Sequence, residues 1–158
     1  MNTANRIEPI SAWEVSLKAV TALMRVYGRK MESEMKIPYT WFDVLVQLVE
    51  TPGERLRMRD LAELVILTPS GLTRLVDRIE KAGLVRREAS REDRREMAVV
   101  LTDTGSELAV RAREAHHRHI EECFTRLLND NDVTAIHTAF SKIRNALLDG
   151  KSELAQRQ

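Results

Sequence analysis

The chain has 158 residues, enough for one domain with a substantial core. Its 43 % hydrophobic and 31 % charged residues exclude a disordered chain, and no window approaches the apolar length of a membrane span. A net charge of +1 gives no whole-molecule attraction to a polyanion, so any such partner must be recognised through local placement of charge. Aromatic residues make up 4 %, with six Gly and four Pro, a poverty of turn formers that predicts long helices and few strands. The single cysteine, Cys123, excludes an intramolecular disulfide framework and suits a reducing compartment. The opening MNTANRIEPISAW lacks the apolar core of a signal peptide. A soluble, cytoplasmic chain without a membrane partner is expected.

From Ser11 onward, Trp13, Leu17, Val20, Met24, Tyr27 and Met31 alternate spacings of four and three, one stripe of a long amphipathic helix. Pro38 interrupts it, because the residue before a proline is pushed out of the helical region. A second helix is expected over 40–50, burying Phe42, Leu45, Val46 and Val49, and the TPG at 51–53 closes it. A short third helix follows over 57–65.

Thr68 then stands as an N-cap, with Pro69 at the first helical position, where its missing N–H costs nothing. Gly83 suits the left-handed residue that ends this fourth helix. LVRRE (84–88) and EMAVVLT (96–102) are expected as two strands of a hairpin around a charged loop. Long helices are expected over 103–128 and 132–148, the latter with Val133, Ile136, Phe140, Ile143 and Leu147 in helical phase.

This order predicts a mostly α fold, a winged helix-turn-helix with a two-stranded β wing over 37–102. Helical segments over 1–36 and 103–158 flank it in one intertwined domain. Three helices and a hairpin already close the core of a winged unit. The surplus apolar stripes at both ends therefore call for burial elsewhere, and a homodimer built from both termini provides it.

On the fourth helix, Leu72, Leu75, Val76 and Ile79 share one face, while Ser70, Thr73, Arg74, Asp77 and Arg78 share the other. Hydroxyls near the N-terminal end followed by arginines suit a helix lying in the major groove of double-stranded DNA. The same pattern also describes an ordinary solvated face. The charge beside it favours the first interpretation. Residues 54–95 hold eleven Lys and Arg against eight Asp and Glu, with Arg86, Arg87, Arg91, Arg94 and Arg95 crowded into the hairpin. A wing crossing the phosphate backbone can place an arginine in the minor groove, and Asp93 suits an ion pair that holds the loop in shape.

The run LTPSGLTRLVDRIEKAGLVRR resembles the recognition helix and first wing strand of the MarR family of transcriptional regulators. DRREMAVVLTDTG resembles the wing signature of that family. The likeness covers residues 40–110 and extends in helical order over almost the whole chain. It implies a dimeric repressor or activator on pseudo-palindromic DNA, often released by a small ligand. Where many members carry Asp-Pro-Arg ahead of the Asp-Arg-Arg, this chain has Ser90, Arg91 and Glu92. Either Arg94 or Arg91 is then the groove-entering residue. Ser70, Thr73, Arg74, Arg78, Arg91, Arg94 and Arg95 are the expected DNA-binding residues.

The resemblance also implies a small anionic or phenolic effector. The urate-responsive branch of the family uses a tryptophan, an aspartate and two arginines, and Asp43, Arg74 and Arg87 stand at matching positions. Trp13 is the candidate fourth member, although that branch carries its tryptophan on an additional helix. Two guanidiniums can hold an anionic heterocycle beneath an indole. Asp43 equally suits a structural ion pair, and Trp13 is in phase with the apolar stripe.

His116, His119 and Cys123 follow spacings of three and four along one helical face, compatible with a metal-responsive alternative. The sequence shows no nucleophile elbow, no phosphate-cradling glycine loop and no acid pair with a base, so neither an enzyme nor a cofactor is expected. A winged-helix module that binds protein without DNA is the remaining alternative.

Overall fold

A computed structural model describes residues 7–65, 67–89 and 96–155. The elements run α1 (Pro9–Met35), α2 (Tyr39–Val49), β1 (Arg55–Arg57), α3 (Met58–Leu64), α4 (Pro69–Lys81), β2 (Val85–Ala89), β3 (Met97–Leu101), α5 (Asp103–Cys123), a 3-10 turn (Thr125–Leu127) and α6 (Asp130–Ala155). The chain divides into two compact units, Met1–His119 and Ile120–Gln158, with the boundary inside α5. No helix among the described residues is long and apolar enough to cross a membrane.

The first unit is a mostly helical winged helix. Its core gathers Phe42, Leu45 and Leu48 of α2, Leu61 of α3, the inner face of α4 and Val85, Val99 and Leu101 of the sheet. Leu72, Leu75, Val76 and Ile79 are all within 2 % of complete burial, the face that their spacing predicts. The hydroxyl of Thr68 accepts from the Gly71 N–H at 3.2 Å, capping α4. At the other end Gly83 takes a φ of +76°, and its N–H donates to Glu80 while that of Leu84 donates to Ile79. This paired return is the Schellman termination, and it favours glycine because of the positive φ.

The wing differs from the expected hairpin by one strand. The sheet has three antiparallel strands in the order β1-β3-β2, with Arg57 opposite Ala98 and Arg87 opposite Val99. RLR at 55–57 is too short for a period-two signal to stand out, and its strand identity comes from β3 alongside it. Because Arg57 belongs to the strand, α3 begins one residue later than the periodicity suggests.

Leu84, Thr102 and Gly105 tie three elements together. The Thr102 N–H donates to the Leu84 carbonyl at 3.1 Å, and its hydroxyl donates to the Gly83 carbonyl at 2.7 Å. The same hydroxyl accepts the Gly105 N–H at 3.0 Å, which caps α5. The first turn of α5 is pressed so closely to the end of α4 that a methyl at Gly105 would overlap the Leu84 carbonyl.

Along α1 only Tyr27 and Met31 of the apolar stripe are buried. Trp13, Leu17, Val20 and Met24 stand 44–61 % exposed. In the second unit α6 starts at Asp130, ahead of its first apolar residue, because of its cap. Asn129 accepts from the N–H groups of Asn131 and Asp132, and the Asp132 carboxylate accepts from the Asn129 N–H. This reciprocal arrangement is a capping box. On the same helix Val133, Phe140, Ile143 and Leu147 are exposed.

Gly105→Ala is expected to lower stability by at least about 1–3 kcal/mol, since the overlap falls on backbone that cannot yield without moving the junction. Urea denaturation measures it. A midpoint equal to wild type would contradict the close approach.

Candidate nucleic-acid interface

Ser70, Thr73, Arg74 and Arg78 lie on the exposed face of α4, directly opposite the residues that anchor it in the core. The Ser70 hydroxyl lies 3.4 Å from that of Thr68, so the cap also orients the first polar side chain of the face. Arg74 and Arg78 have no carboxylate partner among the described residues. They project side by side, one turn apart. Arg91, Arg94 and Arg95, expected at the wing tip, lie outside the described residues, as does Asp93.

The arginines at the base of the wing serve internal contacts. Arg87 on β2 reaches across to α4, bonding Glu80 at 2.6 Å and Asp77 at 2.7 Å. It also donates to the Thr73 carbonyl at 3.3 Å, and its own backbone N–H donates to Glu80 at 2.9 Å. Four contacts from one residue fix the first wing strand against the outward face of α4. Its side chain is 22 % exposed, so this is a partly desolvated fork rather than a loose surface pair. Arg86 pairs with Glu88 at 2.6 Å and donates to the Leu101 carbonyl at 3.1 Å. At the opposite edge Arg57 and Arg59 share Asp60 and Glu96.

The four residues expected to hold an effector each have their own surroundings. Arg74 borders a cleft of about 550 Å³ that is also lined by Thr40, Leu67, Gly71, Leu75, Asp77, Arg78 and Lys81. Arg87 is instead drawn onto Asp77 and Glu80. Trp13 is exposed on the early turns of α1. Asp43 is half-buried on α2, and burial pushes its carboxyl above the usual range.

His116 and His119 are likewise taken up by different partners. The His116 ring sits among aromatic rings, 5.0 Å from Tyr27, 5.6 Å from Tyr39 and 4.8 Å from Phe42, with the Tyr39 hydroxyl 3.4 Å from its Nε2. His119 is buried and its Nε2 lies 2.8 Å from Glu34. No cluster of three His, Cys, Asp or Glu side chains among the described residues is arranged to hold a metal ion. The shared face of the metal alternative is thus occupied by packing between α1, α2 and α5. Spacing along one helix exposed the two histidines but not their partners, which come from other elements. Burial pushes His116 below its ordinary value, with His119 and His117 adding to the effect. Burial, with the nearby Asp43 and Tyr27, raises the Tyr39 phenol to about 12.

Comparison with known proteins places this geometry among relatives. A model of the MarR family matches residues 36–96. The HTH-type transcriptional regulator YfiV of Bacillus subtilis strain 168 is 28 % identical over 142 residues, covering 89 % of this chain and 86 % of its own. Two regulators from Streptomyces coelicolor share the fold at 28 % identity. AbsC matches with a TM-score of 0.82 over 92 % of this chain and 99 % of its own. Sco3205, solved in complex with DNA, matches with a TM-score of 0.80 over 90 % and 94 %.

The depressed His116 predicts a pH effect of definite sign. The fold favours the neutral ring, so the penalty for protonation is absent above the ordinary value of 6.5 and grows as pH falls through it toward the folded value. The melting temperature should fall on going from about pH 7.5 to about pH 5.5, and His116→Phe should flatten that profile. A variant with the wild-type slope would remove His116 as a cause.

Proposed function

Because the chain belongs to the MarR family of transcriptional regulators, we propose that it binds pseudo-palindromic duplex DNA as a homodimer and acts as a repressor released by a small anionic aromatic ligand. The observation that carries this is the division of α4 into a buried apolar face and an exposed face of Ser70, Thr73, Arg74 and Arg78, with the wing clamped beside it by Arg87.

In this function α4 lies in the major groove. Ser70 and Thr73 are in position for bases or phosphates, and Arg74 and Arg78 for guanine edges or the backbone. Arg94, or Arg91 in its place, enters the minor groove, and Arg95 joins the phosphate contacts. Sco3205, solved with DNA, supports this mode by its likeness over nine-tenths of the chain. The dimer draws support from each unit separately. Trp13, Leu17, Val20 and Met24 on α1, and Phe140, Ile143 and Leu147 on α6, stand exposed at helical spacing, apolar stripes that a symmetric partner would bury. A twofold then repeats α4 at about one turn of DNA, about 34 Å.

The cleft beside α4 supplies the release. Leu67 and Leu75 give it an apolar lining, and Arg74, Arg78 and Lys81 give it three cations, a combination suited to an aromatic carboxylate or phenolate. A ligand there competes with DNA for Arg74 and Arg78, so each occupant lowers the affinity for the other by the same factor. Arg74 belongs both to the expected effector set and to the lining of this cleft.

Selection of an operator from random duplexes, followed by anisotropy titrations, tests the DNA function. The logarithm of the affinity should fall linearly and steeply with the logarithm of salt. Arg94→Ala should cost about 1–3 kcal/mol of binding with an unchanged melting temperature. Absence of salt-dependent duplex binding would favour a protein-interaction module. For the ligand, aromatic carboxylates should raise the melting temperature of the DNA-free protein, and Arg74→Ala should abolish that rise. An equal rise in the variant would move the ligand away from this cleft.

A further inference from the structure

Four charged side chains where α3 meets the sheet are not used by the function above. Arg57 bonds Asp60 at 2.6 Å and lies 3.5 Å from Glu96, while Arg59 lies 3.2 Å from Glu96 and 3.6 Å from Asp60. The two arginines differ in setting. Arg57 is 29 % exposed, comparable with its acidic partners, whereas Arg59 is 62 % exposed. The first is held within the fold and the second reaches into solvent over the same two carboxylates.

Its location gives that reach a direction. Arg59 and Thr73 line one groove, together with Met58, Ala62, Glu63 and Leu72, so Arg59 borders the outward face of α4. On its other side Glu96 is the residue from which the chain enters β3, and Arg57 pairs with Ala98 at the same end of the sheet. Arg59 therefore stands between the recognition helix and the outer end of the wing strands, where β3 begins. A duplex that receives α4 in one groove and the wing in the next must pass a phosphate strand between them.

Resting on the DNA-binding function, we infer that Arg59 contacts the DNA backbone at this crossing, with Glu96 and Asp60 acting as positioning residues for its guanidinium. Exposed ion pairs of this kind are weak, so exchanging a carboxylate partner for a phosphate costs little. The fork geometry of a guanidinium also suits both partners. Such a contact carries no sequence information and sets register on the duplex.

Salt titrations of Arg59→Ala and Arg59→Lys on the selected operator and on an unrelated duplex test the contact. Arg59→Ala should weaken both duplexes by the same factor and reduce the slope of log affinity against log salt by about 0.9 for each protomer in contact. Arg59→Lys should keep the wild-type slope, because the charge remains. A fall in melting temperature with an unchanged slope would make Arg59 merely structural and overturn the contact, as would a loss confined to the operator. If wild type binds neither duplex, the DNA function itself fails. If wild type binds and Arg59→Ala matches it, this contact alone fails.

Discussion

The carbonyl of Leu84 is the point on which the wing and α5 are hung. It accepts the Thr102 N–H and is met at closest approach by Gly105. Through it the end of α4, the end of β3 and the start of α5 are placed relative to one another within a few residues. Gly83 is needed to turn the chain into that position with a positive φ, and Gly105 is needed because no side chain fits there. Thr102 closes the arrangement by serving as a strand end, a helix cap and a tether to Gly83 at once. Thr102 and Gly105 therefore meet a packing requirement at the root of the wing.

From that junction outward, the arginines divide by burial and partner. Those on the sheet strands are held in internal contacts. Arg87 joins β2 to α4 through Asp77 and Glu80, and Arg57 joins the start of α3 to Glu96. Arg74, Arg78 and Arg59 stand further into solvent, where exchange of partners is inexpensive. The near balance of acids and bases in this region is thus not a neutral average over its surface. Asp77 and Glu80 hold Arg87, and Asp60 and Glu96 are shared by Arg57 and Arg59, while Arg74 and Arg78 have no carboxylate partner among the described residues. A net charge of +1 conceals that arrangement entirely.

The same economy explains why DNA and ligand are coupled in the proposed function. Arg74 and Arg78 border both the outward face of α4 and the cleft that Thr40 closes on its flank. No distant relay is required when two ligands draw on the same side chains. The aromatic cluster around His116 is a separate matter. Tyr27, Tyr39 and Phe42 fix α1 and α2 to α5 within the first unit, and His119 with Glu34 extends that seam.

Much of the architecture was legible because its signals are local. The Thr68-Pro69 start, the Gly83 stop, the inward phase of Leu72, Leu75, Val76 and Ile79, and the run of helices on either side all follow from spacing and capping along the chain. What spacing could not reveal is partnership across space. Arg55–Arg57 is a strand only because β3 lies beside it. Arg87 pairs with Asp77 and Glu80 on a different element. His116 and His119 share a helical face yet face different neighbours on α1 and α2. Helical periodicity and backbone capping act within a few residues and are written in order along the chain. Ion-pair choice and burial of a titratable ring depend on which elements the core brings together, and that was decided only when the chain folded.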